Sequence, residues 1–142
     1  MTRTIETECT FHVPARVLYS AFLDPHNLSR MTLSNSIISP VVGGEFSMFN
    51  GGVTGQIREL SSPHKIVQDW RFSQWPKDEY SVLELCFEAL GEHKTRLTVK
   101  QSAIPEHDAH GNSRQDELVL NGWKSKFFVG LEKVLGYAVD RD

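Results

Sequence analysis

Few residues of this 142-residue chain stand at spacings that could do chemistry. His107 and His110 lie three apart with Asp108 between them, half of a metal site if the segment were helical. Pro105 and Gly111 bound that segment, so it reads as a solvated polar loop, and no third ligand accompanies it. A zinc site needs three or four supported ligands, and no metal is expected. His12, His26, His64 and His93 are scattered over polar positions and turns, none beside a nucleophile. The serines lack the G-x-S-x-G setting; Ser81 reads as a packing residue or a rim hydrogen-bonder. Asp78 and Glu79 are adjacent, so in a strand they point to opposite faces and make a poor acid/base pair. Gly43-Gly44 and Gly51-Gly52 do not lie between a strand and a helix, which removes the geometry of a phosphate cradle. No catalytic residue and no cofactor are assigned, and the chain is read as a non-enzyme.

The aromatic residues say more. Trp70, Phe72 and Trp75 lie close together, and Trp123, Phe127 and Phe128 share the C-terminal segment. Such rings bury roughly 150–250 Å² each and mostly form core. Gln68, however, precedes Trp70 on the same strand face, and Gln101 follows Val99 in the same way. A polar group on an inward face needs a partner. Either the sheet ends near these glutamines or they line a partly polar cavity. Trp75-Pro76 falls in a turn, where the tryptophan is either folded back onto the core or exposed as a contact anchor, a role in which tryptophan is enriched.

The elements that must position these residues follow from periodicity. Residues 4–12 alternate, with Ile5, Thr7, Cys9 and Phe11 on one face, and predict a half-buried strand. Pro14 suits the first position of a helix carrying Val17, Leu18, Ala21 and Phe22, which Asp24-Pro25 ends. His26 to Met31 reads as a further helical turn. Five strands follow. Phe46 and Met48 share a face; Asn50-Gly51-Gly52 is a hairpin turn; Val53 to Leu60 returns. Lys65 to Phe72, Tyr80 to Glu88 and Thr95 to Gln101 complete the meander, with a turn at Gln74–Asp78. Leu120, Trp123, Phe127, Leu131, Val134 and Leu135 then recur at helical spacing. Ser113 is the expected N-cap, Asp116 and Glu117 favour the first turn, and Gly136 suits the end. About 23 residues give a helix of roughly 35 Å, long enough to cover a six-stranded sheet.

Composition bounds the class. Hydrophobic residues are 39% and charged residues 23%, an ordinary globular balance, and the length suits one domain over residues 1–142. The net charge of −3, from 15 basic and 18 acidic residues, argues against non-specific nucleic-acid binding. No apolar run approaches the ~20 residues of a membrane span, and the N-terminus lacks the apolar core of a signal peptide. The expectation is a soluble cytoplasmic protein without a membrane partner. Cys9 and Cys86 both read as buried strand thiols rather than a disulfide.

In this order, GGEFSMFNGGVTG, KIVQDWRF, WP, YS and NGW resemble the C-terminal domain of the activator of Hsp90 ATPase family, Aha1. The resemblance runs from about Phe11 to Tyr137 and rests on residues such as Gly43, Gly44, Phe46, Gly51, Gly55, Trp70, Arg71, Phe72, Trp75, Pro76, Gly122 and Trp123. The wider group is the helix-grip superfamily related to START and Bet v 1 domains. The resemblance implies an α+β helix-grip fold: a curved six-stranded antiparallel sheet wrapped around a long C-terminal helix, with one or two short helices after the first strand. It implies Hsp90 as partner, contact with its N-terminal ATPase domains, and stimulation of an ATPase chemistry that belongs to Hsp90. Arg71, Trp75 and Lys77 are the contact residues expected on that basis. The separate N-terminal domain of Aha1, which docks on the middle segment of Hsp90, is not expected here, and with it one of two linked anchors. The superfamily also implies a second possibility, a small hydrophobic ligand held between sheet and helix. Phe46, Met48, Gln68, Trp70, Phe72, Trp123 and Phe127 are the residues expected to line that cavity.

Overall fold

A computed structural model describes residues 2–135 and the backbone of residues 139–141. Strand β1 (Thr2–Phe11) is followed by two short helices, α1 (Ala15–Ala21) and α2 (Pro25–Thr32). Pro14 stands one residue before the helix it was expected to open, in extended conformation. Asp24-Pro25 does two things. It keeps α1 from continuing, and it starts α2, where Asp24 accepts from the His26 and Asn27 amides at 2.8 and 3.4 Å and Pro25 fills the first turn.

The meander follows as β2 (Ile37–Ile38), β3 (Glu45–Met48), β4 (Val53–Ser61), β5 (Lys65–Phe72), β6 (Ser81–Gly91) and β7 (Lys94–Pro105). After the C-terminal helix, β8 (Val139–Arg141) pairs with β1. Among the described residues the sheet has eight strands in the order β2-β3-β4-β5-β6-β7-β1-β8, with every neighbour antiparallel. The six strands read from alternation are all present. The two added edge strands have two and three residues, too few to show a period. The β3–β4 turn is built as expected on positive φ, 55° at Asn50 and 91° at Gly51.

One face of the sheet is apolar: Ile5, Cys9, Ile66, Trp70, Leu83, Leu85, Leu97 and Val99 are all buried. The alternation that points Leu85 and Phe87 inward points Cys86 outward, so Cys86 is an exposed thiol and the expectation of burial holds for Cys9 alone.

The C-terminal helix covers that face. It runs 21 residues as α3 (Gln115–Gly122), one π turn (Trp123–Phe127) and α4 (Phe128–Leu135). Its N-cap is Arg114 at φ 62°, not Ser113. The expected cap at Gly136 lies outside the described residues. In the π turn the Phe128 amide donates to the Trp123 carbonyl five residues back. That extra residue per turn lets Trp123, Phe127 and Phe128 all face inward. Phe128 meets Phe11 edge-on at 6.1 Å, a contact the 3–4 spacing left out.

Candidate functional site: a cleft beside three tryptophans

The three tryptophans occupy one neighbourhood at the end of β5. Trp70 lies 4.8 Å from Phe72 and 5.7 Å from Trp75, centroid to centroid. Trp75 takes the first of its two expected alternatives. It is folded back and only 1% exposed, so its ring offers no surface to a partner. The reason lies forty residues away: its indole N–H donates to Gln115 Oε1 at 2.9 Å, and Gln115 Nε2 donates to the Asn112 carbonyl at 3.1 Å. Arg71 also faces this turn, donating from one guanidinium nitrogen to the Trp75 and Pro76 carbonyls at 2.6 and 3.2 Å. It holds the turn in shape as well as carrying charge. Lys77 is exposed.

Gln101 is fully buried and neither marks the end of the sheet nor faces a cavity. It accepts from the Trp123 indole at 3.1 Å and donates to Ser81 Oγ at 2.8 Å, and Ser81 in turn donates to the Trp70 carbonyl at 2.7 Å. This relay satisfies each group it joins, which is what makes burial of its polar atoms tolerable. The Trp70 indole N–H differs from the other two: it is buried without an acceptor.

The expected ligand cavity divides in two. Phe46, Met48 and Gln68, with Trp70, Trp123 and Phe127, surround an interior void of about 10 Å³. That is at most the ~10–15 Å³ needed for one water. Side chains fill the deep space between sheet and helix, so Phe46, Met48 and Gln68 wall a packed core rather than a ligand chamber. Trp70, Phe72, Trp123 and Phe127 instead line an open cleft of about 420 Å³ between the β3–β4 turn, the end of β5 and the C-terminal helix.

Sequence reasoning missed the other wall of that cleft. Gln115, Leu118, Val119, Gly122 and Lys126 line it from the helix. Their spacings of three, one, three and four mark a face beside the aromatic stripe, a signal that was available. Phe49 was missed because it sits in a turn. It adopts φ 53°, an outlying conformation for a bulky residue that costs on the order of 1–3 kcal/mol. Its ring packs edge-on against Phe127 at 5.8 Å, and the Lys126 ammonium lies 5.6 Å from its centroid.

A curved antiparallel sheet around a long C-terminal helix, with two short helices after the first strand, defines the helix-grip class. The family model described as "Activator of Hsp90 ATPase homolog 1-like protein" matches residues 12–136, and the chain belongs to that family. Among solved structures it is similar to PFC0360w, an HSP90 activator from Plasmodium falciparum, with TM-score 0.93 and 32% identity over 96% of this chain and 99% of that one. It is 33% identical to the Schizosaccharomyces pombe protein C1711.08, over 81% of this chain and 34% of that protein. It is 28% identical to the human activator of 90 kDa heat shock protein ATPase homolog 1, over 90% of this chain and 36% of that one. The chain thus spans about a third of the length of these curated relatives. No helix of the described residues is long and apolar enough to cross a membrane.

Proposed function

We propose that this chain is a co-chaperone domain that binds Hsp90 in the cytoplasm and raises its ATPase rate. The observation that carries the reading is the likeness to the Plasmodium falciparum activator, which the chain covers over 99% of its length. The mechanism would be linkage: a partner with higher affinity for the ATP-hydrolysing arrangement raises its population, by no more than the difference in affinity. The reading gives this chain no reaction of its own.

The contact face is the β5–β6 turn and its surroundings. Lys77 supplies exposed charge, Tyr80 is 43% exposed with the Arg71 guanidinium 5.8 Å from its ring, and Trp75 acts from beneath by holding the turn. A shallow depression of mixed polarity, lined by Ile37, Glu45, Thr54 and Tyr80 among others, extends this face towards the β2 edge. Titration of the purified protein into Hsp90 with ATP is expected to raise turnover, and Lys77→Glu with Tyr80→Ala to weaken binding without lowering Tm. No binding and no change in turnover, with ATP or with a closed-state nucleotide analogue, would remove the reading.

A second reading, a binder of a small apolar ligand, is favoured by one observation, the 420 Å³ cleft. It lies within the ~300–1,000 Å³ range of small-molecule sites.

A further inference from the structure

The cleft has a polarity of its own. Its floor is aromatic and aliphatic, built from Val53, Trp70, Phe72, Val119, Trp123 and Phe127. Lys126 is its one charged lining residue among those described, and no carboxylate lines it. The ammonium lies beside the face of Phe49, whose backbone strain is retained at the cleft edge. The Trp70 indole N–H beneath the wall is buried and has no acceptor, so it presents no donor to the cleft. The π turn that bears Trp123, Lys126 and Phe127 sits where such irregularities often mark functional sites. The cleft therefore carries one positive charge and the neutral polar groups of Ser73, Gln74 and Asn121 over an apolar body.

We propose that this cleft binds a small apolar carboxylic acid. Its hydrocarbon part lies on Phe49, Phe72 and Leu118, the apolar lining side chains that keep exposed surface, and its carboxylate lies at Lys126. The inference rests on the ligand-binding reading and adds the head group and the site. Lys126 is exposed, so its attraction for a carboxylate is modest; the apolar contact supplies the affinity and the single positive charge the preference over neutral and cationic analogues.

The test uses three probes of equal chain length: decanoate, 1-decanol and decyltrimethylammonium. Each is titrated below its micelle concentration while tryptophan fluorescence is followed, since Trp70 and Trp123 line the cleft. Decanoate is expected to saturate and to bind at least tenfold more tightly than the other two. Lys126→Gln should erase that preference. Gly122→Leu should abolish binding of all three, because a side chain at this helical glycine enters open space and not the core. A Tm no lower than that of the parent would separate blockage from unfolding. Equal affinity for the three probes, or a preference that survives Lys126→Gln, overturns the head-group inference and leaves the ligand-binding reading intact. Binding that survives Gly122→Leu overturns the location. No saturable binding of any probe sinks both, and the Hsp90 titration is independent of all these outcomes.

Discussion

Gly122 and Gly130 lie about two turns apart on one helix, in opposite surroundings. A methyl on Gly130 would collide with the Met31 carbonyl oxygen of α2 and meet Met31 Cγ at 2.9 Å. A methyl on Gly122 would meet nothing within 4 Å. The first half of the helix overhangs a cleft; the second half is sealed against α2. Different physics holds each half. The sealed half depends on close packing, and Leu131 is fully buried there. The open half depends on directed hydrogen bonds: Trp75 to Gln115, Gln115 to Asn112, and Trp123 to Gln101 at the joint. Changes of volume should therefore act on one half and changes of polarity on the other.

The largest effect is expected at the sealed end. Gly130→Ala gains helix propensity but overpacks a site with no room, and the net loss should be about 1–3 kcal/mol. In a domain of this size that lowers Tm by roughly 2–4 °C per kcal/mol. A calorimetric Tm equal to that of the parent would show that α2 gives way and that the two halves are not so different. The joint comes next. Gln101→Leu keeps the bulk but leaves the buried Trp123 indole without its acceptor and Ser81 without its donor, at about 1–3 kcal/mol before any compensating apolar gain. Denaturant midpoints would measure it. A neutral outcome would mean that apolar packing, not the relay, fixes Trp123.

How much of this was legible depends on the range of the interactions involved. The six long strands and the terminal stripe are local patterns, and Leu83, Leu85 and Phe87 announce a buried face by themselves. Trp75 could not be placed that way. A turn residue has no periodic neighbours, and its burial is decided by Gln115, which no spacing rule connects to it. The π turn escaped for a related reason: Trp123 and Phe127 satisfy ordinary helical spacing, and the extra residue shows only in the burial of Phe128. The filling of the predicted cavity is a matter of side-chain volume in three dimensions. Phe46 and Met48 share a face with the aromatic residues, but a shared face says nothing of the gap between them. Cys86, by contrast, was decidable from the alternation of its own strand.

At the open end the same comparison predicts a gain. Gly122→Ala removes backbone freedom from the unfolded chain and adds a methyl where there is space, so stability should rise by about 0.5–1 kcal/mol. Set against Gly130→Ala, this gives one substitution with two signs on one helix. Two losses of equal size would mean that the cleft closes in solution.

The smallest effect lies in the loop that anchors the start of α3, and it is lost in acid. Asp108 is 6% exposed. It accepts from the Asn112 side chain at 2.9 Å and from the His110 and Asn112 amides at 2.8 and 2.9 Å. The Asn112 side-chain bond, followed by the two amide bonds and the nearby His110, holds its carboxyl below the usual range against the opposing effect of burial. A carboxyl lowered from its unfolded value of about 3.9 contributes stability above that pH and loses it as pH falls through the folded value. Asp108→Asn lacks this contribution. The Tm difference between parent and variant should thus be constant from about pH 5 to 8 and shrink below about pH 4. Amide exchange localises the effect: the Ala109 amide donates to the Gln74 carbonyl at 2.8 Å, tying this loop to the Trp75 turn, so its protection should fall with the loop while that of Leu131 does not. If both amides lose protection together in acid, the two halves of the helix open as one unit and the contrast between them is confined to the static structure.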